Sequence, residues 1–476
     1  MLDPELNNLP QNVKNIHLIS ACGSAMGALC VMLKNEGYFV TGSDSGIYPP
    51  MSTFLENRDI RLKEFDPENI SNDIDLVVIG NAVTKDNPEV TEVLNKKINY
   101  LSMPQAINLF FAENKKVIMV TGTHGKTTTT GLISWILESA GLDPSFFIGG
   151  IHKNFDSGFK KGSKEYFVIE GDEYDTAFFD KESKFHHFNP YRLVVTGIEF
   201  DHADIFESIN QIQDSFSKLL KNTDSNSHIF AFDSSFYLDE VLSVIHKKNL
   251  FYYGKSSCSN FRYTDYESDQ DGIRFNLTTP DFEKDVYIPM SGEHNIYNAV
   301  AAFAVCRSIG IESEKILTAL LSYKGMKRRQ ELRGEVSGVK VIDDFAHHPT
   351  EVKLTIEGIK KRYQPKRLIA VFEPGTNTSM RNVFQKDYED SFYNADTVCI
   401  KRPEKIVKVN ESERFSHEKL KQSLNNKGIN AFLFDTTDEI TDFIKNSAKN
   451  EDLVLVMSNK GFDNIHEKIL EILSNR

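Results

Sequence analysis

Short apolar runs alternate with longer segments of helical periodicity over the first part of the chain. Apolar residues dominate 15–20, 39–44 and 73–83, which predicts three strands. Residues 21–38 pass from a glycine-containing turn into an apolar pattern with helical spacing. This alternation is typical of a doubly wound parallel sheet, which binds ligands at the carboxyl ends of its strands. We therefore expect a Rossmann-like N-terminal domain over residues 1–114.

The same alternation continues through the middle of the chain. Residues 115–120 predict a short buried strand, and the apolar spacing over 132–137 predicts a helix after it. Further strands are predicted at 166–175, at 192–206 and in several short segments of 225–290. We expect a central α/β domain with a phosphate-binding loop over residues 115–325.

A second open sheet is predicted near the C-terminus. Residues 339–359 have the pattern of a strand, a loop and a helix. Further strands are predicted at 367–374, 395–400 and 452–461. We expect a Rossmann-like α/β domain over residues 326–476. The fold class is therefore α/β, with three domains.

Length and charge narrow the class of protein. A chain of 476 residues fits three domains of roughly 150 residues each. The net charge of −13 argues against sequence-independent binding of nucleic acid, which needs a positive surface. The five cysteines include no C-x-x-C pair, which favours a reduced, cytoplasmic chain. No apolar segment reaches 18 residues and no signal peptide is visible, so we expect no membrane span.

A glycine-rich loop, "GTHGKTT" (122–128), lies between the predicted strand and helix of the central domain. Val120 stands where the usual phosphate loop has its first glycine, so this loop is two residues shorter. Lys126 could reach the terminal phosphates of a nucleotide, and the Thr127 hydroxyl could ligate Mg²⁺. The alternative is an ordinary turn before a helix, which would not require lysine followed by threonine. The candidate phosphate-binding residues are Gly122, Thr123, His124, Gly125, Lys126, Thr127 and Thr128.

Carboxylates and an imidazole follow two strands of the central domain. Residues 166–175 end in an acidic cluster that includes Glu170, and the strand within 192–206 ends at Asp201 and His202. Downstream of a phosphate loop, this arrangement favours a metal–nucleotide centre. The alternative is a solvated acidic face and a structural histidine.

Polar side chains also mark the first and third domains. Gly23, Gly27 and Asp44 form a weak dinucleotide-type motif, in which Asp44 could bind a ribose hydroxyl or serve only as a turn residue. Asp344 ends a strand of the third domain, close to His347 and His348. These histidines could ligate a metal, but adjacent side chains rarely reach one ion, so separate polar roles are preferred.

A helix start in the central domain offers amide side chains. His294, Asn295 and Asn298 begin the segment "HNIYNA" (294–299). An amide can pair with the N6/N7 edge of adenine, whereas its ordinary role here would be to cap the helix.

Together these motifs resemble those of the Mur ligases, which are ATP-dependent amide ligases of bacterial peptidoglycan metabolism. The short loop, the segment "EGDE" (170–173), Asp201-His202 and "HNIYNA" occur in the family's order over essentially the whole length. The segments "KRRQE" (327–331) and "DDFAHHPTEV" (343–352) resemble the branch that uses UDP-N-acetylmuramate directly. The resemblance implies a ligase that activates the muramyl carboxylate as an acyl phosphate.

The resemblance also implies the cofactors and the residues that bind them. ATP and two Mg²⁺ ions are expected, with Thr127 and Glu170 at one ion and His202 at the second. Asn295 would contact adenine, Asp344 the ribose, and Arg329 the phosphates. The implied catalytic residues are Lys126, Glu170, His202 and Arg329.

The first and third domains would bind the two substrates of the ligation. The implied UDP-sugar-binding residues are Gly23, Ser24, Met26, Gly27, Ser43, Asp44 and Asn81. The implied peptide-binding residues are His347, His348, Asn377 and Arg381. We expect small-molecule substrates, no nucleic-acid or membrane partner, a bacterial cytoplasmic location, and a monomer or weak homo-oligomer.

Two kinds of ligase in this branch differ in what they attach. One adds L-alanine, and the other adds the tripeptide L-alanyl-γ-D-glutamyl-meso-diaminopimelate during peptidoglycan recycling. Residues 42–56, 372–378 and 457–470 resemble the tripeptide ligases. However, Ser20 stands where those proteins carry glycine, and Gly375 where they carry an arginine expected to bind peptide carboxylates; Arg381 could replace that arginine.

Two other classes of protein are alternatives to a ligase. A nucleotide-regulated sensor of UDP-muramyl precursors would not need Glu170, His202 and Asp344, yet all three are present. A motor-type ATPase would not need the first domain and typically has a longer phosphate loop. Phosphate release that depends on both UDP-N-acetylmuramate and an amine separates the ligase from both.

Overall fold

Three sheets organise the chain, in the order that the sequence predicts. The structure is a computed structural model and describes residues 3–203, 205–243, 249–376, 378–403 and 410–475. The predicted α/β class and three-domain arrangement are confirmed.

The first sheet is parallel throughout and has the strand order β3-β2-β1-β4-β5. Its strands are β1 (Asn15–Ile19), β2 (Phe39–Ser43), β3 (Arg61–Lys63), β4 (Leu76–Ile79) and β5 (Asn99–Ser102). The helices are α1 (Ser24–Asn35), α2 (Met51–Glu56), α3 (Pro88–Asn95) and α4 (Met103–Ile107). Every residue of β4 is buried, as expected for a central parallel strand covered on both faces.

The central sheet has the order β15-β14-β13-β12-β11-β10-β6-β9-β7-β8 over the described parts of the chain. Its strands are β6 (Lys116–Thr121), β7 (Ser145–His152), β8 (Ser157–Lys160), β9 (Tyr166–Gly171), β10 (Pro190–Val195), β11 (His228–Phe232), β12 (Leu250–Gly254), β13 (Phe261–Ser268), β14 (Ile273–Thr278) and β15 (Glu283–Ile288). The helices are α5 (Lys126–Ser139), α6 (Ile209–Asn222), α7 (Phe236–Leu242), α8 (Glu293–Ser308) and α9 (Ser313–Leu321). Strands β13 to β15 form an antiparallel meander at one edge, and β8 is antiparallel to β7 at the other.

The third sheet has the order β16-β17-β21-β18-β19-β20. Its strands are β16 (Glu331–Val336), β17 (Val339–Asp344), β18 (Arg367–Phe372), β19 (Thr397–Lys401), β20 (Asn430–Phe434) and β21 (Asp452–Met457). The helices are α10 (Pro349–Tyr363), α11 (Gln385–Ser391), α12 (His417–Asn426), α13 (Thr437–Ser447) and α14 (Ile465–Ser474). Of these described strands, only β16 is antiparallel to its neighbour. The strand predicted over 452–461 ends at Met457, and a loop follows it.

The core of the central domain fixes the helix that carries the glycine-rich loop. Helix α8 is apolar around its whole circumference, and residues 298–306 are all buried, so it lies inside the domain against α5. On α5, the Trp135 indole N–H donates to the Ala319 carbonyl (3.1 Å) and to the Ser322 hydroxyl (3.0 Å). These contacts hold α5 between α8 and α9.

No helix in the described ranges is long and apolar enough to cross a membrane.

Candidate active site

The glycine-rich loop packs tightly between β6 and α5. Gly122 and Gly125 have positive φ angles of 118° and 81°. A Cβ at Gly122 would lie 2.4 Å from the Thr196 hydroxyl and 2.7 Å from the Gly197 carbonyl. The backbone therefore requires glycine at both positions, because other residues rarely adopt these φ angles and their side chains would collide here. The loop leaves the N–H groups at the start of α5 oriented as an anion site.

Lys126 begins α5, and its ammonium lies between the loop and an acidic side chain. The ammonium donates to the Gly122 carbonyl (2.8 Å) and to the Glu173 carboxylate (2.9 Å). Burial alone would lower the pKa of Lys126, but Glu173 and Asp172 outweigh burial and raise it. The lysine is therefore a permanent cation at the loop.

Thr127 and Glu170 form an oxygen pair beside Lys126. The Thr127 hydroxyl donates to the Glu170 carboxylate (3.0 Å), which also accepts from the Gly149 N–H (2.7 Å). Burial and the charge of Asp172 raise the pKa of Glu170. A divalent cation would relieve this repulsion, and Mg²⁺ prefers oxygen ligands. Thr127 and Glu170 therefore fit a magnesium ion.

His202 faces the same carboxylate as Lys126. Its Nε2 atom lies 3.6 Å from Glu173, its ring lies 4.7 Å from that of Tyr174, and its φ is 53°. The Glu173 side chain is only 3% exposed and lies between Lys126 and His202. The sequence predicts no specific role for Glu173 within the acidic cluster. Its only signal is its position in the segment "EGDE" (170–173).

His124, also in the loop, joins the central and third domains. Its two ring nitrogens lie 3.4 Å from Glu199 and 3.3 Å from Glu351, the latter on α10. Burial would lower the pKa of His124, but the two carboxylates raise it to about 10. His124, Glu199 and His348 have ligand atoms within 4.8 Å of one another. A protonated imidazole cannot ligate a metal, so we interpret this group as an interdomain ion pair. The motif "DDFAHHPTEV" (343–352) contains Glu351, but nothing in the sequence places Glu351 or Glu199 next to His124.

A cavity of about 370 Å³ opens beside the loop, between the central and third domains. Its lining includes His124, Thr127, Asn295, Arg329 and Asp344. With Gly125 and Thr128, which also line it, the cavity brings together seven of the predicted ATP-binding residues, contributed by two domains.

The start of α8 lies at this cavity. The Asn295 amide donates to the Ser291 carbonyl (2.7 Å), and its oxygen accepts from the Asn298 amide (3.1 Å). Asn298 in turn accepts from the Thr129 hydroxyl of α5 (3.1 Å). The amide predicted to contact adenine is thus held rigidly to the phosphate-loop helix.

Asp344 and Arg329 come to the cavity from the third domain. The Asp344 carboxylate accepts from the backbone N–H groups of Gln330 (2.8 Å) and Ala346 (2.7 Å). Burial raises its pKa to about 6, against the opposing charge of Arg329. The Arg329 guanidinium lies 4.9 Å from the centre of the Phe345 ring. The residues on either side of Arg329 have positive φ, which holds this short connection in one conformation.

The predicted UDP-sugar residues lie at the carboxyl edge of the first sheet. Gly23 caps α1, and the Asp44 carboxylate accepts from the N–H groups of Cys22 (2.8 Å) and Gly46 (3.1 Å). Ser20, which precedes this turn, has a φ of 68°. Asp44 therefore organises the turn in which it was predicted to bind ribose.

Other members of that predicted set differ in how accessible they are. Ser24 opens α1 and Asn81 is exposed, whereas Met26 is 5% exposed. A Cβ at Gly27 would lie 2.5 Å from the Met51 sulfur. The Ser43 hydroxyl is fully buried and donates to Glu89.

The predicted peptide residues are dispersed in the third domain. His348 accepts from the Thr350 N–H (3.3 Å) and caps α10, whereas His347 lies 3.1 Å from the Phe345 carbonyl. Arg381 donates to Glu413 (3.2 Å). Asn377 lies outside the described residues. The structure thus gives the adjacent histidines separate partners.

Comparisons with known proteins agree over all three domains. Residues 15–115 match the Mur ligase family catalytic domain, 120–306 the Mur ligase middle domain, and 328–460 the Mur ligase glutamate ligase domain.

Individual relatives extend over nearly the full length. The Escherichia coli UDP-N-acetylmuramate–L-alanyl-γ-D-glutamyl-meso-2,6-diaminoheptandioate ligase is 37% identical, covering 97% of this chain and 98% of its own. The Clostridium tetani UDP-N-acetylmuramate–L-alanine ligase is 32% identical, covering 94% of this chain and 95% of its own. The crystal structure of a murein peptide ligase from Psychrobacter arcticus aligns with a TM-score of 0.74 at 33% identity, covering 97% of this chain and 99% of its own.

Proposed function

The chain belongs to the Mur ligase family, and from that premise we propose that it joins the tripeptide L-alanyl-γ-D-glutamyl-meso-diaminopimelate to UDP-N-acetylmuramate. The observation that carries this proposal is the 37% identity over 97% of the chain to a ligase named for that reaction. The members of this family are ATP-dependent ligases that form C–N bonds. The competing substrate is L-alanine, because an L-alanine ligase is 32% identical.

The reaction needs two displacements at one place. The lactyl carboxylate of UDP-N-acetylmuramate attacks the γ-phosphorus of ATP, which forms an acyl phosphate and releases ADP. The amine of the peptide then attacks the acyl carbonyl, loses a proton and expels phosphate. Both displacements bring anionic groups together, so positioning and neutralisation of charge carry most of the catalysis.

Lys126 and Arg329 are suited to that neutralisation. Lys126 is a permanent cation at the phosphate loop, and Arg329, from the third domain, lines the cavity beside that loop. We assign Lys126 to the β- and γ-phosphates and Arg329 to the transferred phosphoryl group. Asn295 and Asp344, which line the cavity from the central and third domains, are assigned to adenine and ribose.

Magnesium is generally required by the family, and this chain has groups for it. We assign Thr127 and Glu170 to one ion and His202 to a second ion beside the muramyl carboxylate. Bound magnesium supplies positive charge to the phosphate oxygens. The Glu173 carboxylate, which contacts both Lys126 and His202, positions these two groups relative to each other.

The domain arrangement protects the acyl phosphate. His124 pairs with Glu351 across the boundary between the central and third domains. This contact holds the two domains together beside the cavity, and further closure over the bound substrates would exclude water that hydrolyses the intermediate. We assign the UDP-sugar to the first domain at Gly23 and Asp44, and the peptide to the third domain near His347.

The proposed substrates also indicate where in the cell the enzyme works. ATP and a UDP-sugar are cytoplasmic metabolites, so we place the enzyme in the bacterial cytoplasm. We propose a monomer or weak homo-oligomer, and light scattering over a range of protein concentrations tests that state.

Phosphate release tests the proposed reaction directly. With ATP, Mg²⁺ and UDP-N-acetylmuramate present, the tripeptide should start rapid turnover, whereas L-alanine should not. The N-acetylated tripeptide is the control, because it lacks the attacking amine. Turnover with L-alanine alone would identify an L-alanine ligase, and turnover without any amine would exclude both. Mass spectrometry of the product confirms which amide forms.

A further inference from the structure

The side chain of Lys460 packs against a glycine at the carboxyl edge of the third sheet. It lies in the loop after β21, beside Gly375, which follows β18. A Cβ at Gly375 would lie 3.1 Å from Cε and 3.2 Å from Cδ of Lys460, and 2.3 Å from Oδ1 of Asn459. The lysine stem thus occupies the space that a side chain at position 375 would need.

The backbone of Lys460 is held in place by its neighbours. Its N–H donates to the Ser458 hydroxyl (3.0 Å), and that hydroxyl donates to the buried Glu373 carboxylate (2.7 Å). Arg328 donates to the Lys460 carbonyl (2.7 Å) and to the Ser458 carbonyl (2.6 Å). These bonds tie the loop to the connection that carries Arg329.

The ammonium of Lys460 is available to an anion. Lys460 is exposed and makes no ion pair with any residue that the structure describes. Two arginines of the same domain are paired instead: Arg381 pairs with Glu413, and Arg402 pairs with Glu418 and Asp435. Among the residues that the structure describes, Lys460 therefore has no ionic partner, and it lies at the carboxyl edge of the parallel strands, where ligands bind.

Gly375 is linked to the neighbourhood of His202 through Thr378. Thr378 accepts from the N–H of Ala203 (3.2 Å), the residue after His202. Gly375 is three residues before Thr378, so it lies at most about 11 Å from it along the chain. An extended tripeptide also spans about 10 Å. A peptide whose amine lies near His202 can therefore place its far end near Lys460.

We propose that the ammonium of Lys460 binds a carboxylate at the distal end of the incoming peptide, and that Gly375 leaves room for the lysine stem. This inference rests on the proposed function. Lys460 is then a specificity-determining residue, since L-alanine is too short to reach it.

Steady-state kinetics of the full-length enzyme test this role. The tripeptide is varied at saturating ATP and UDP-N-acetylmuramate, with native enzyme, Lys460→Met and Lys460→Arg. Lys445→Met is the matched control, because Lys445 is an exposed lysine near the end of α13, on the side where the chain enters β21. The same series is repeated with a tripeptide whose diaminopimelate carboxylates are amides.

We expect Lys460→Met to raise the KM for the tripeptide about tenfold, the scale of a lost charge-assisted hydrogen bond, with kcat and the KM for ATP unchanged. Lys460→Arg and Lys445→Met should stay near native values. With the amidated peptide, native enzyme and Lys460→Met should have the same KM. A native KM in Lys460→Met, or an equal loss on the amidated peptide, overturns the inference. If the native enzyme releases no phosphate on addition of the tripeptide, the proposed function is wrong. That result differs from failure of the Lys460 inference, because the native enzyme alone reveals it.

Discussion

Two turns in this chain share one topology but differ in chemistry. In the first domain β1 leads through a turn into α1, and in the central domain β6 leads through a turn into α5. The central turn is crowded: Gly122 and Gly125 have positive φ, and a Cβ on either would collide with a neighbour. The first turn is open, because a Cβ at Gly23 would meet nothing within 4 Å.

The difference shows what the shared backbone does and does not decide. Both turns direct the N–H groups of a helix start toward the carboxyl edge of a parallel sheet, where an anion is stabilised. Only the central turn adds Lys126 and Thr127, with Glu170 and Glu173 beside them. Under the proposed function, the backbone would offer an anion site in both domains, whereas only the central turn has the side chains that phosphoryl transfer needs.

Removing the charge at the central turn should have the largest effect. Lys126→Met should lower kcat by about 10³-fold, because it removes a cation aimed at the developing phosphate charge. Phosphate release in the complete reaction measures this effect. Lys221→Met, on the exposed end of α6, is the control.

That substitution also leaves the Glu173 carboxylate without its partner, so folding must be checked. The double variant Lys126→Met/Glu173→Gln removes both charges. If the double variant folds normally and keeps native kcat, Lys126 is not catalytic.

Crowding at the central turn predicts the next effect. Gly122→Ala should lower kcat/KM for ATP about a hundredfold, because the new methyl group would collide with Thr196 and shift the loop by a fraction of an ångström or more. Gly23→Ala should change the kinetics for UDP-N-acetylmuramate far less, since its Cβ has open space. Similar losses at the two glycines would contradict the distinction between the turns.

The carboxylate of the first turn should matter for one substrate only. Asp44→Asn should raise the KM for UDP-N-acetylmuramate about tenfold, because the N–H groups of the turn and a ribose hydroxyl lose a charged acceptor. The KM for ATP should not change. Asp75→Asn is a matched control: Asp75 accepts from the N–H groups of Lys14 and Asn15 (2.8 Å each), at the opposite edge of the same sheet. A rise in the ATP KM would argue against a role confined to the first domain.

The smallest effect is expected at Ser20, where the backbone has a φ of 68°. Ser20→Gly removes the strain of the positive φ in the folded state but increases the conformational entropy of the unfolded chain. Because these effects oppose each other, the free energy of unfolding should change by no more than about 1 kcal/mol. Urea denaturation measures it. Ser20→Val should instead destabilise the protein, because a β-branched residue tolerates positive φ poorly. An equal stability of both variants would show that the turn imposes no such constraint.

Much of the fold could be predicted from the sequence, for local reasons. The buried strands β4, β6 and β21 are continuous apolar runs, and the glycines of the central turn mark its tight backbone. The antiparallel meander of β13 to β15 was visible only as short β-like segments, because alternation does not give strand direction.

Contacts between distant residues account for what the sequence did not predict. Nothing in the pattern places Glu173 between Lys126 and His202, or Glu351 against His124, since these pairs form only after the sheets assemble. The position of Lys460 over Gly375 is of the same kind. The predicted roles of the site residues remain predictions for the kinetics above.

The chain contains one tryptophan, and its position gives the protein a built-in optical reporter. Trp135 lies on α5, the helix that follows the phosphate loop, and its indole N–H donates to the Ala319 carbonyl near the end of α9 and to the hydroxyl of Ser322, which follows α9. Indole fluorescence therefore comes entirely from the central domain. Titration with nucleotide can be followed in the unlabelled enzyme, without a background from the two domains that bind the sugar and the peptide.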